Sequence, residues 1–183
     1  MQAMPNRGYA LFETAIGRCG IAWSEQALLG VQLPESSDPA TRVRLLRGLP
    51  ELFEAEPPQW VLLAIGRIQA LLNGVQDDLT DIPLDMESMP PFHRRVYEIT
   101  RAIPPGRTLT YGEVAQRLGD AGAARAVGQA LGHNPFAPVV PCHRVLAARS
   151  GAGGFSAEGG VNTKLRMLEI EKAQMSAEPG LFD

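Results

Sequence analysis

The stretch Pro138-Val139-Val140-Pro141-Cys142-His143-Arg144-Val145 constrains this chain more than any other. Proline fixes φ and cannot extend a helix. Two prolines with an apolar pair between them predict a short, stiff, buried extended segment. The segment delivers a cysteine followed at once by a histidine. A thiol has an ordinary pKa of about 8.5 and reacts only as thiolate. A neighbouring imidazole, a cation or a helix N-terminus supplies the activation. The pair therefore suits a poised nucleophile. On Cys142 and His143 alone, a buried structural cysteine is an equal reading, because free thiols are often core residues.

The rest of the chain narrows the choice. Its 183 residues allow one or two small domains with real cores. No apolar run approaches the roughly 20 residues that span a bilayer, and Met1 to Ala10 holds no apolar signal core. A cytoplasmic protein with no membrane contact is expected. Cys19 and Cys142 then read as reduced thiols. With His93, His133 and His143 they show no metal-type spacing, so neither metal nor cofactor is expected.

Charge is unevenly spread. Residues 1–89 carry a net −6, residues 90–150 a net +5, and residues 151–183 a net −2. Every base in the positive block is arginine: Arg94, Arg95, Arg101, Arg107, Arg117, Arg125, Arg144 and Arg149. A basic block on an acidic chain suggests a local anionic partner such as nucleic acid. A solvated helical surface is the competing reading.

Tyr9 to Thr14, Gly20 to Trp23 and Leu28 to Leu33 read as short strands with turns at Gly17 and Ser24-Glu25. Asp38-Pro39 marks a helix start, with Val43, Leu46 and Leu49 on its apolar side. Val61, Leu62, Ile65, Ile68, Leu71 and Leu72 have helical spacing, stopped at Gly74. Ile82 to Leu84 is a candidate edge strand. The boundaries expected are an α/β domain over 1–88, a second domain over 89–175 and a tail over 176–183, with Asp85 to Pro91 as linker. In the second domain Phe92, Val96, Ile99 and Ile103 predict an amphipathic helix, ended by Pro104-Pro105-Gly106. Thr110 and Glu113 have the spacing of a capping box opening a helix over Tyr111 to Leu118. A turn at Gly119 to Gly122 leads to a helix over roughly Ala123 to Gly132, making a helix-turn-helix.

That last helix is nearly bare. It reads Ala-Ala-Arg-Ala-Val-Gly-Gln-Ala-Leu-Gly, and a glycine inside a helix costs roughly 1 kcal/mol against alanine. Close approach of another backbone would offset that cost. If the approaching backbone is DNA, Arg125 is the long side chain near the helix start that could enter it. Tight helix–helix packing is the alternative.

Taken together, Tyr111-Gly-Glu-Val-Ala, Arg125-Ala-Val-Gly128, Asn134-Pro135 and Pro141-Cys-His-Arg-Val145 resemble the O6-alkylguanine-DNA alkyltransferases, the methylated-DNA–protein-cysteine methyltransferases. The similarity runs from about Phe92 to Ala173. The resemblance implies a ribonuclease-H-like α/β N-terminal domain and a mostly α, winged-helix-like C-terminal domain with a helix-turn-helix. It implies a monomer whose partner is double-stranded DNA containing O6-alkylguanine. The damaged base is rotated out of the duplex, and Cys142 takes the alkyl group irreversibly. In this pattern His143 receives the thiol proton, through a water, and a glutamate orients His143. Glu169 and Glu171 are hard to separate by spacing; Glu171 is preferred, because it falls beside Met167 and Leu168. Asn134 braces the turn before the active segment. Tyr111 contacts a phosphate and the leaving guanine, Arg125 fills the emptied stack, and Ala124 and Gly128 form the small surface that suits a minor groove. Backbone carbonyls of Val140 and Cys142 read the guanine edge. One departure stands out: Ala157-Glu158 intervene between Gly153-Gly154-Phe155-Ser156 and Gly159-Gly160, and Phe155 stands where a Tyr is common. That loop is a wall of the base pocket in the family, so the departure bears on alkyl size.

Two other functions compete. A lesion-binding or regulatory protein of the same fold lacks the cysteine, which this chain keeps. A Cys-His-Glu hydrolase needs an oxyanion hole and has no use for a helix-turn-helix.

Overall fold

A computed structural model of the chain describes residues 6–147 and 161–173. The loop with Phe155 and Ala157-Glu158, Arg149 and the 176–183 tail lie outside the described residues.

Strands β1 (Gly8–Thr14), β2 (Gly17–Trp23) and β3 (Leu28–Gln32) form an antiparallel meander in that order. Gly17 makes the first turn possible at φ +121°, where an L side chain would be strained. Helix α1 (Asp38–Leu46) opens on Ser37, whose side chain accepts from the Ala40 amide. Its buried side is Thr41 and Leu45, whereas Val43 is 64% exposed. The i, i+4 pair packs on the sheet, and Leu45 comes so near Gly20 that a Cβ there would stand 3.0 Å from its Cδ2. Helix α2 (Gln59–Leu71) buries Val61, Ala64, Ile65, Ile68 and Leu71 but leaves Leu62 exposed. The strand expected at Ile82 to Leu84 reduces to a single bridge between Leu28 and Leu84. Pro83 in its middle has no N–H for a longer ladder.

The second half begins with α3 (Pro91–Arg101). Strand β4 (Leu109–Thr110) leads into α4 (Tyr111–Arg117), capped reciprocally by Thr110 and Glu113. After α5 (Ala124–Gly132) the chain makes a 3-10 turn at Cys142–Arg144 and a strand β5 (Val145–Leu146) parallel to β4. Helix α6 (Val161–Ile170) ends the described chain. A small sheet with helices thus packs against a mainly helical half.

One cluster of buried residues runs through both halves, from Phe12 and Ile21 through Val96, Val114 and Val127 to Val140 and Met167. Met86 and Met89 pack against it, so the stretch read as a linker is tied down by its apolar side chains. Tyr97 of α3, buried, donates its hydroxyl to the Ala130 carbonyl of α5 at 2.7 Å. Tyr97→Phe should cost about 1–2 kcal/mol, because it leaves a carbonyl in the core short of a partner. A lowered urea midpoint with an unchanged slope would report it.

Candidate active site

The sulfur is placed by a chain of backbone bonds. Val31 of β3 donates its amide to the Pro135 carbonyl at 2.8 Å, extending the sheet edge to the turn that follows α5. Asn134 folds that turn. Its Oδ1 accepts from the Phe136 amide at 2.9 Å, and its Nδ2 donates to the Val140 carbonyl at 2.8 Å. The Cys142 amide donates to the same carbonyl at 2.8 Å, across Pro141 at φ −83° and ψ 68°, an inverse γ-turn. The segment is buried as expected, but it is not extended: residues 137–140 form a turn closed by the Val140 amide on the Phe136 carbonyl at 3.1 Å, and the reversal at Pro141 then offers Cys142 at the start of the 3-10 turn. A carbonyl has two lone pairs. Val140 spends both inside the protein, so reading a guanine edge would require it to release one. Among the described residues the Cys142 carbonyl accepts one backbone bond, from Val145.

Behind the sulfur lies a buried charged cluster. Glu171, just past α6, receives Nε of Arg144 on Oε1 at 2.9 Å and Nη2 on Oε2 at 2.8 Å. The same Oε2 stands 2.8 Å from Nε2 of His143. Arg144 also donates Nη1 to the Ile103 carbonyl at 2.7 Å. All three side chains are buried, whereas Glu169 is exposed. Burial would raise the Glu171 pKa, but the hydrogen bonds from Arg144 and His143 overcome it and bring it down to about 2. An ionised carboxylate only accepts, so Nε2 of His143 must carry a proton. Burial pushes His143 below its ordinary 6.5, with the charges of Arg144 and Lys164 adding to it, against the pull of Glu171. The ring is therefore neutral near pH 7, and Nδ1 is left with its lone pair. Nδ1 is buried and has no hydrogen-bond partner among the described residues. The tautomer is fixed with the basic nitrogen unused.

Burial also pushes the Cys142 thiol up, while a hydrogen bond with Asn134 and the charge of Lys164 pull it back. The resting sulfur is thus a thiol held beside a base. Lys164 of α6 is buried, donates Nζ to the Val145 carbonyl at 2.7 Å, and stands 5.7 Å from the Tyr111 ring centroid. Burial lowers its pKa to about 8, against the pull of Cys142. Tyr111, at the start of α4, is half-buried; burial, then the charge of Cys142, raises its phenol. Cys142, His143, Glu171, Asn134 and Tyr111 thus gather around one point. Sequence reasoning missed Arg144 and Lys164 as members. Arg144 belongs to the basic block of residues 90–150, yet it is buried on Glu171. Its position directly after Cys-His was the available signal.

Two more arginines of that block serve the fold. Arg95 donates to the Leu118 carbonyl at 2.7 Å, and Arg101 to the Leu79 and Ile82 carbonyls at 2.8 and 2.9 Å. Arg107, Arg117 and Arg125 remain exposed. On α5, Arg125 points outward while Ala124 and Gly128 are half-buried. A Cβ on Gly128 would meet only the Tyr111 ring, at 3.8 Å and beyond, and one on Gly132 would meet nothing within 4 Å. Internal packing therefore does not require these glycines. Among the described residues no group of three or more His, Cys, Asp or Glu stands close enough to hold a metal, and no helix is long and apolar enough to cross a membrane.

Comparison with known proteins is consistent with this geometry. Residues 91–173 match the family described as 6-O-methylguanine DNA methyltransferase, DNA binding domain. The chain is 39% identical over 144 residues to the methylated-DNA–protein-cysteine methyltransferase of Mycobacterium bovis, covering 75% of this chain and 85% of that one. Its structure is similar to that of the Mycobacterium tuberculosis O6-methylguanine methyltransferase, with a TM-score of 0.73 at 33% identity over 97% of this chain and 99% of that one. The Mycobacterium tuberculosis OGT in complex with DNA is similar as well, with a TM-score of 0.71 at 33% identity over 96% and 99% of the two chains.

The cluster makes stability pH-dependent with a definite sign. His143 has a folded pKa below 6.5, so the unfolded chain binds its proton first and stability falls as pH drops below about 6.5. Glu171, at about 2 against an ordinary 4.5, adds a further loss between those values. Urea midpoints should decline continuously as pH falls from about 6.5. Glu171→Gln should lower stability by about 3–5 kcal/mol at neutral pH, because Arg144 is left buried without its countercharge. It should also flatten the acid limb below about pH 4.5.

Proposed function

The chain belongs to the methylated-DNA–protein-cysteine methyltransferases, and from that premise we propose how its own residues carry out the repair. An O6-alkylguanine in duplex DNA gives its alkyl group to Cys142, irreversibly, so that one molecule removes one lesion. The Cys142 proton passes to Nδ1 of His143, through a water. The sulfur attacks the alkyl carbon, the carbon–O6 bond breaks, and the electron pair leaves on the guanine. Tyr111 lies near enough to Cys142 to feel its charge, and its phenol supplies a proton or donor to the departing base. The product is a thioether and a plain guanine. Glu171 orients the imidazole and balances the imidazolium, and Asn134 braces the Cys142 segment.

The observation that carries this reading is the fixed tautomer of His143. Its buried Nδ1 has no other partner among the described residues, and Glu171 already holds the opposite nitrogen. A cysteine serving only the core needs no such neighbour. The bare face of α5 supports a minor-groove approach, since nothing among the described residues asks for Gly128 or Gly132. On this reading Arg125 enters the space left by the flipped base, with Ala124 and Gly128 against the groove. The three-stranded meander with α1 and α2 fits a ribonuclease-H-like domain over 1–88. Helices α4 and α5 with the β4–β5 pair fit a winged helix-turn-helix within 89–175, followed by a tail over 176–183. A cytoplasmic monomer is the form that one copy of each motif and two reduced thiols suggest.

The protein is incubated with duplex DNA bearing O6-methylguanine, digested, and the peptide containing Cys142 is weighed. One added methyl group is the expected result. Bound DNA with an unmodified peptide would mean lesion binding without transfer. Cys142→Ala should abolish transfer and retain DNA binding; loss of both would make the cysteine structural. Arg125→Ala should slow repair in duplex at least about tenfold more than in single strands, because only the duplex has a stack to fill. Equal losses would overturn the stack-filling role.

A further inference from the structure

Two opposite charges reach the 3-10 turn from the α6 segment, and the transfer scheme uses only one of them. Lys164 and Glu171 stand seven positions apart, roughly two helical turns, and both bond to the turn or its closing residue. Glu171 meets the imidazole of His143. Lys164 meets the residue that closes the turn: its Nζ donates to the Val145 carbonyl at 2.7 Å, and the Val145 amide donates to the Cys142 carbonyl. The Tyr111 ring centroid is 5.7 Å from Nζ. Lys164 is 1% exposed, yet its one hydrogen bond among the described residues is that to Val145. A carbonyl and a ring compensate a buried ammonium only in part. A methionine of similar length would fill the space without that cost. Packing therefore gives no reason for the charge.

We propose that Lys164 is the counter-ion of the reacting sulfur: its ammonium balances the Cys142 thiolate until the alkyl carbon is attacked. The inference rests on the reading of Cys142 as the alkyl acceptor. The other groups around the sulfur do not compete for this role. On the turn, Arg144 is a cation held by Glu171, and Glu171 is taken up by Arg144 and His143. Tyr97 of α3 and Tyr111 of α4 are phenols that burial raises, so neither is an anion. The sulfur is what answers the ammonium. Burial lowers Lys164, and the charge of Cys142 pulls it back; burial raises Cys142, and Asn134 and Lys164 pull it back. When the thiol proton passes to Nδ1 of His143, a thiolate and an imidazolium form together. Lys164 matches the first as Glu171 matches the second. Lys164 keeps its own proton throughout and bonds to neither the alkyl group nor the base. Once the sulfur is a neutral thioether, the ammonium has lost its partner.

The test is the rate at which iodoacetamide alkylates Cys142 in the full-length protein, from about pH 5 to about pH 10, read from the mass of its peptide. The reagent carries no guanine and needs no DNA, so it reports on the sulfur alone. Cys19 is buried, with its thiol pushed up to about 12, and stays out of this range. In Lys164→Met the midpoint of the profile should rise by about one unit or more, and the rate near pH 7 should fall about tenfold. Transfer from duplex DNA bearing O6-methylguanine should slow by a similar factor. Lys164→Arg, permanently charged, should keep the parent's profile. A Lys164→Met profile that superimposes on the parent's overturns the inference. An equal shift in Lys164→Met and Lys164→Arg overturns it too, because packing and not charge would then be the cause. Slowed DNA transfer with an unchanged iodoacetamide profile also overturns it, and would put Lys164 on the leaving base. If Lys164→Met does not fold, Lys164→Gln takes its place under the same criteria. Variants that shift as expected, in a protein that takes no methyl group from the DNA, would sink the repair reading and leave the counter-ion standing.

Discussion

A single carboxylate sets the terms for the rest of the site. Glu171 takes two hydrogen bonds from Arg144 and one from His143, all out of water. Without Arg144, a buried glutamate would protonate and donate to the ring, which would turn the imidazole around. With Arg144, Glu171 is held ionised and can only accept. The direction of every proton in the cluster follows from that one fact. Arg144, next to His143 in sequence, thus acts through Glu171 on its own neighbour.

Among the described residues the N-terminal half supplies none of the side chains gathered at Cys142, yet it holds those side chains in place. The β3 edge bonds the turn that Asn134 folds. Arg166 of α6 donates to the Ala15 carbonyl in the β1–β2 turn at 2.8 Å. Gln76 donates to the Glu171 carbonyl at 3.3 Å. The helix bearing Lys164 and the turn bearing Cys142 are therefore braced from the same small sheet. A reacting carbon must meet the sulfur in line, and a misplacement of even about 1 Å is costly in such a reaction.

Much of this was readable in the chain. The period-3.6 patterns, the Thr110–Glu113 box and the glycine stops placed α2, α3, α4 and α5 to within about two residues, whereas α1 stops at Leu46, short of Leu49. The Pro-Cys-His-Arg string identified the nucleophile. What was not readable depends on long-range contact. Val43 looked as apolar as Leu45, and only the sheet's position decides which one is buried. The Ile82 to Leu84 strand failed because its one proline sits where the ladder needed an N–H. Arginine counts gave a basic block, but Arg144 is buried and Arg101 is spent on backbone carbonyls of the fold, and composition carries no direction. Glu169 and Glu171 lie two residues apart, near opposite sides of a helix; which one meets His143 depends on how that helix is seated.

The bond between Val31 and Pro135 has a consequence for how such chains change over generations. It joins two stretches more than a hundred positions apart, through backbone atoms that no substitution short of proline removes, and a shared core lies beneath it. Halves stitched in this way must keep matching surfaces. A recombination event within Asp85 to Pro91 would bring together surfaces that had drifted separately, and the sulfur would register the mismatch.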